Sequence, residues 1–388
     1  MMSNIEGTIL HGVSAIAKPD WAALFPGEAE GWDYYAACER GARAEMQSGA
    51  VAVYDSEGLA AAAPIFLSTY RLDTPLQGRL RLVADKVASL APNLMSMKLL
   101  GVGSAYAEQC HIGLRAGLSR LGTRQVFHVL VQTIEGHGAA CGASLIAFKD
   151  MTPGRVLQFS HLLRKAGFTP IQSLPIANLD LADLDYGAYF SRLSPSTRRD
   201  LRRKLKRNGD VRIEHRTSLE GIADRVAELY ESTRRHSQVH YGDFEELPDN
   251  YFREVARIGP DSVHFVLYWV GSHLAAFNLL LLQPDRVIDK FLGLSYPLAS
   301  EKNLYALSWL ENVRFAIENG YPNLQSGQTA YGLKVRYGSD LIPSVLYAKH
   351  RGPLLNRLVR LSARYIDFNR WDPDLRVLAA KNADKRRI

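Results

Sequence analysis

The chain has 388 residues, 47% hydrophobic and 22% charged, which is room for two or three globular domains and excludes wholesale disorder. Its net charge is +7, and no apolar run approaches the roughly 18 residues that a membrane span needs. Cys38, Cys110 and Cys141, odd in number and without C-x-x-C spacing, argue against a disulfide framework or structural zinc and for a reducing cytoplasm.

The N-terminal MMSNIEGTIL has no basic stretch ahead of an apolar one, so no secretory signal is expected. In chain order, residues 34–47 read as a helix, and 50–55 and 59–68 as a hairpin around Ser56-Glu57-Gly58. Strands are expected at 79–83 and 96–100, and a helix at 106–121 ended by Gly122. Residues 126–134 and 145–148 read as strands, 155–166 as a helix closed by Gly167, and 171–174 as a strand. Ser194-Pro195 then opens a basic helix over 194–207, with the serine as N-cap and the proline at the first helical position.

The second half is more regular. A strand at 211–217 precedes helices at 219–237 and 249–258. Three β-rich runs follow at Val263–Val270, 274–282 and 287–296, separated by Gly271-Ser272 and Gln283-Pro284-Asp285. A long helix at 304–319, stopped by Gly320, leads to a strand at Asn323–Ser326, a short helix at 330–337 and a last strand at 341–350. This order is an antiparallel meander followed by a β-α-β crossover, which forces a parallel pair and a switch in the sheet where a ligand can enter. The first half carries a looser echo of it. The simplest architecture is α/β, with two similar mixed-sheet domains at 1–193 and 211–352, the basic helix 194–210 between them and a basic helical tail at 353–388.

Positive charge is concentrated. Residues 198–207 (RRDLRRKLKR) hold seven basic side chains against one acid, and 345–388 hold eleven against four. Each run is either a solvated helix face or an attractor for a polyanion such as a coenzyme phosphate, tRNA or an acidic lipid surface. Within the tail, 354–365 is amphipathic, with Leu354, Leu355, Leu358 and Leu361 interspersed with Arg357, Arg360 and Arg364. A helix packed on the domain is the favoured account of that pattern, with a membrane-surface helix as the alternative.

Four stretches carry a family resemblance: 193–207 (LSPSTRRDLRRKLKR), 265–282 (FVLYWVGSHLAAFNLLLL), 292–309 (LGLSYPLASEKNLYALSW) and 327–351 (GQTAYGLKVRYGSDLIPSVLYAKHR). The chain resembles the GNAT acyltransferases, in particular the branch with two such folds in one chain, the Fem-type peptidoglycan aminoacyltransferases and their acetyltransferase relatives. The resemblance implies two tandem GNAT-like domains and transfer of an acyl group from acyl-coenzyme A or aminoacyl-tRNA to a small-molecule amine. It implies no covalently bound cofactor and no metal. The tRNA, if it is the donor, would lie on the basic segments 198–207 and 349–388. One departure stands out: the loop after the fourth strand, 295–303, has no glycine, whereas a coenzyme-A loop needs glycine so that backbone N–H groups can close on the phosphates.

The resemblance also directs attention to particular residues. Acyl transfer needs a polarised carbonyl oxygen, an amine that loses a proton and a leaving group that gains one. In this fold a backbone N–H of the splayed fourth strand, here 288–295, polarises the carbonyl. Gly293 within it marks a bulge or a close backbone approach. Lys334, in the lysine-bearing turn, either holds a donor phosphate or the oxyanion or is a surface lysine beside Arg336. Tyr331 shares its helix face and either protonates the leaving group or packs. Asp289 and Lys290 are expected on opposite faces of their strand, Asp289 either orienting the amine or guarding an edge. Tyr296, Lys302, Asn303, Tyr305, Ser326 and Gln328 are candidates for the donor cleft. His236 and His240, four apart, with Arg235 beside them, are candidates for acceptor recognition or helix-end groups answering the dipole. The leading expectation is an N-acyltransferase whose second half binds the donor. The competing one is a non-catalytic protein that uses the fold to bind a polyanion or envelope precursor. The oligomeric state is open.

Overall fold

A computed structural model describes residues 5–41, 46–71, 96–206, 208–237, 246–365, 367, 369 and 372–385. The chain divides into two compact units that are not sequential halves. One comprises Met1–Pro175, Tyr241–Asp249 and Pro343–Ala380; the other comprises Ile176–His240, Asn250–Ile342 and Lys381–Ile388.

The first unit holds an antiparallel meander of β1 (Glu6–Leu10), β2 (Met46–Asp55), β3 (Gly58–Arg71) and β4 (Ser96–Val102), with the short β5 (Gly113–Leu114) on β3. Helices α1 (Lys18–Leu24) and α2 (Trp32–Arg40) lie between β1 and β2 in sequence. Helix α3 (Arg120–Ala140) then carries the chain to β6 (Leu145–Met151), which pairs parallel with β4. Helix α4 (Pro153–Lys165) follows, and β7 (Thr169–Asp180) begins in this unit. The core lies under α3, whose Val126, Phe127, Leu130, Val131 and Ile134 are all buried, with Phe127 stacked on Phe159 of α4 at 4.6 Å.

Here the expected order of helix and strand at 106–134 is reversed. Residues 126–134 are helical, and Gly122 sits in the first turn of α3, where its N–H is capped by Ser119 Oγ at 3.0 Å. The valines and the isoleucine of VFHVLVQTI favour a strand locally, but burial at intervals of one, three and four residues is the helical period, and the packed face decides. Met46 and Gln47, expected at the end of a helix, begin β2 instead. The strand expected at 79–83 lies outside the described residues.

The second unit repeats the same plan. Helices α5 (Tyr186–Arg192) and α6 (Pro195–Leu205) precede the meander β8 (Val211–Arg216), β9 (Val263–Val270), β10 (His273–Gln283) and β11 (Arg286–Leu294). Helices α7 (Ala223–His236) and α8 (Tyr251–Ala256) come between β8 and β9 in sequence. After the turn α9 (Leu298–Glu301), helix α10 (Leu304–Glu318) crosses to β12 (Asn323–Ser326), which lies parallel to β11. Helix α11 (Tyr331–Arg336) and β13 (Asp340–His350) follow.

The last strand of each unit comes from the far half of the sequence. Val345–His350 of β13 pairs antiparallel with β6 in the first unit, and Ala177–Asp180 of β7 pairs antiparallel with β12 in the second. In the second unit α7 and α8 cover one face of the sheet through Tyr230, Tyr251, Phe252, Phe277 and Phe291. The opposite face is buried by Leu304, Leu307, Leu310 and Val313 of α10 and Leu201 of α6.

Helix α6 begins as its sequence dictates: Ser194 Oγ accepts the N–H of Thr197 at 3.2 Å, and Pro195 takes the first position. Several of its cations are already engaged. Arg203 and Lys204 pair with Asp200, as does Arg336 from α11, and Arg198 caps the carbonyls of Ser191 and Leu193. The tail forms α12 (Pro353–Ser362) and α13 (Pro373–Lys385). The favoured account of 354–365 needs correction, because the leucines do not pack on the domain: Leu354 is 79% exposed and Leu358 57%.

Candidate active site

The parallel pairing of β11 with β12 covers only Val287, Ile288 and Asp289, against Leu324, Gln325 and Ser326. Beyond Asp289, β11 continues for five residues alongside β10 while β12 has ended, so the two strands of the crossover part at Asp289 and Ser326. A register shift falls at the same place. Leu279 faces Phe291 and Leu280 faces Asp289, which leaves Lys290 as the extra residue of a β-bulge.

The bulge interrupts the alternation expected for Asp289 and Lys290. Lys290 is buried, with its ammonium 5.7 Å from the ring centre of Phe291. Asp289 accepts a 2.9 Å hydrogen bond from Nδ2 of the fully buried Asn278 on β10. On the far side of the split, Ser326 is 1% exposed. Its Oγ and the Oδ1 of Asn278 are among the buried polar atoms with no hydrogen-bond partner in the protein.

Backbone geometry fixes the direction of the amides on β11. The N–H of Ser295 donates to Ala275 O on β10 at 2.8 Å, so by alternation Gly293 and Phe291 also point to β10. The amides of Leu292 and Leu294 point to the opposite side, where β12 has ended. Leu294 N–H is taken by Thr233 Oγ1 of α7 at 2.7 Å. Gly293 is a close-approach position and not the bulge: a Cβ there would lie 2.2 Å from the Phe277 ring and 2.9 Å from the backbone carbonyl carbon of Leu229.

Of the candidate residues in the following loop, Tyr296 is brought onto His236, their rings stacked 3.9 Å apart at 12°. Partial burial raises the Tyr296 hydroxyl above its ordinary range. Lys302 is committed to Asp210, 2.6 Å away, and this hydrogen bond holds the Asp210 carboxyl below the usual range. Asn303 precedes α10 in a left-handed conformation (φ 48°), with its Nδ2 buried and unpartnered in the protein. Tyr305 is half-buried against the α10 core.

On α11, Tyr331 is fully buried and Lys334 is 6% exposed, so the pair does share a face, and that face points inward. Lys334 Nζ donates to the carbonyl of Gly327, just past the end of β12. The surface-lysine alternative for Lys334 is thereby removed, while Arg336 is the exposed member of the helix. Gln328 is half-buried in the turn between them. Arg235 is exposed and pairs with Glu231 one turn earlier at 2.9 Å, as does Arg234 at 2.7 Å, and these two arginines lower the Glu231 carboxyl. His240 lies outside the described residues.

Asn278 and Thr233 were not read from the sequence, and of the backbone amides expected along 288–295 the sequence singled out none. A lone asparagine inside LAAFNLLLL was a signal for the first; Thr233 gives none. Among the described residues no cluster of His, Cys, Asp and Glu has metal-holding geometry.

Residues 195–335 match the family model described as an acetyltransferase (GNAT) domain. Among solved structures, the chain is similar to FemX at 11% identity, covering 91% of this chain and all of that one with a TM-score of 0.56. It is also similar to a tandem GNAT protein from the clavulanic acid biosynthesis pathway, at 12% identity, 90% and 99% coverage and a TM-score of 0.53. Among curated proteins none matches the sequence. Residues 195–335 thus match a GNAT acetyltransferase domain, and the chain as a whole shares the fold of FemX and of that tandem GNAT protein.

Proposed function

We propose that the protein is an N-acyltransferase that moves an acyl or aminoacyl group from acyl-coenzyme A or aminoacyl-tRNA to a small-molecule amine, in a reducing cytoplasm. The observation that carries this is the parting of β11 from β12 at Asp289, beside a bulge and an outward-facing Leu292 amide. An activated carbonyl placed along β11 would meet the Leu292 N–H, a preorganised donor for the oxyanion in a site that costs no reorganisation. The amine nitrogen attacks the carbonyl carbon and passes a proton to Asp289, which Asn278 holds in place. Collapse of the tetrahedral intermediate releases the thiolate or the 3′-alkoxide, which takes up the proton that Asp289 received. Lys334 brings its positive charge to the end of β12 and fixes the turn at Gly327. His236 and Tyr296, stacked beside the end of β11, form a wall suited to acceptor recognition.

Native mass spectrometry of the purified protein, followed by incubation with labelled acetyl-coenzyme A or charged tRNA and a panel of amines, tests the reading. A bound donor and an amide product that Asp289→Asn reduces by about 10²-fold or more is the expected result. Donor binding without any product from the parent protein would instead favour the binding-only reading.

A further inference from the structure

Helix α12 is amphipathic the wrong way round for a helix that only packs on its own domain. Its inward side is Asn356, Val359 and Ala363, all partly buried. Asn356 fastens it there: its Oδ1 accepts the N–H of His350 at 3.0 Å and its Nδ2 donates to Gly167 O at 3.2 Å. At 100° per residue, Leu354, Leu358 and Leu361 fall within about 60° of arc on the opposite side. They are 79%, 57% and 52% exposed, with Leu355 at 45% beside them and Tyr365, just past the helix, at 67%. Scattered exposed leucines need no explanation, but a contiguous stripe of them pointing away from the molecule does.

Charge identifies what covers the stripe. Arg357, Arg360 and Arg364, all exposed, lie along one flank of it, and no Asp or Glu occurs between 351 and 366. We propose that α12 docks the protein on an anionic lipid surface, with the leucines among the acyl chains and the arginines at the phosphate level. An apolar stripe bordered by cations is complementary to that boundary, where each half of the helix finds its own solvent. A second copy of the chain fits less well. A twofold contact through this helix would set arginine against arginine with no carboxylate on the helix to answer them. The helix lies on the surface and does not cross it: ten residues reach about 15 Å, and no helix among the described residues is long and apolar enough to span a membrane. The proposal is independent of the transferase reading, because its readout is partitioning and not turnover.

The test is co-sedimentation of the full chain with vesicles of phosphatidylcholine plus phosphatidylglycerol, and with phosphatidylcholine alone. The mixed vesicles should bind the protein, the neutral ones far less, and added salt should weaken the binding. Replacing Leu354, Leu358 and Leu361 together by Glu should cut partitioning by at least about 10-fold, with an unchanged melting temperature because all three are exposed. Replacing Arg357, Arg360 and Arg364 together by Gln should abolish the preference for phosphatidylglycerol. Absence of binding to either vesicle, or equal binding by the leucine variant, overturns the proposal. So does a lipid-free dimer that the leucine variant dissociates, since the face then belongs to a second copy.

Discussion

Single atoms decide much of this site. At Gly293 the constraint is steric, because the Phe277 ring and the α7 backbone already occupy the place of a side chain. Gly293→Ala should cost about 1–3 kcal/mol in urea unfolding, the usual penalty for overpacking a filled core. A variant as stable as the parent would mean that the close approach is not rigid. His264 offers a pH-dependent counterpart on the α10 side of the sheet. Burial first, and then His215 at 2.9 Å, lower its imidazole to about 4. His215 in turn contacts Glu311, which also pairs with Arg314, and Phe315 stacks on both imidazoles. The folded state therefore takes up a proton on His264 less readily than the unfolded chain, whose histidines titrate near 6.5. The stability this contributes is complete above that range and is lost progressively as pH falls from about 6.5 to about 4. His264→Gln should flatten the pH dependence of the urea midpoint in that window, and parallel profiles for the two proteins would refute the assignment.

Among elements, β11 matters most. Its bulge at Lys290 coincides with the end of its pairing with β12, so Asp289 is re-aimed where the sheet opens. Deleting Lys290 would let β11 pair regularly with β10 and keep the sheet, while shifting Asp289 relative to the Leu292 amide. A displacement of that size should lower acyl transfer by about 10²-fold or more with a near-native circular dichroism spectrum. Retained activity would show that the bulge is incidental. The strands and helices of the second unit were legible as apolar runs with clear stops, as at Val263–Val270 before Gly271-Ser272 or the Leu304–Glu318 helix before Gly320. The bulge was not legible, since nothing in VIDKFLGL marks which residue is unpaired. Helix α3 was misread because the β-branched content of 126–134 outweighed its spacing, and only packing against the sheet resolves that conflict.

For the molecule as a whole, ionic strength discriminates between the two donors. A tRNA held by about six to ten phosphate contacts loses about 10³–10⁵ in affinity between about 50 and 200 mM salt, whereas a coenzyme offers only a few phosphates. Because Arg198, Arg203 and Lys204 of the basic helix are already engaged within the second unit, a shallow salt dependence of kcat/KM is the expected outcome. A steep one would assign the donor to tRNA. The sequence by itself determined the mixed α/β plan, the meander with its crossover and the N-cap at Ser194, because each of these is written in local periodicity and residue type. Only the tertiary structure decided that β13 and β7 complete each other's half of the sequence, that β11 bulges as it leaves β12, and that the leucines of α12 face outward. Those outcomes depend on which distant segments pair and pack, and spacing along a chain does not carry that information.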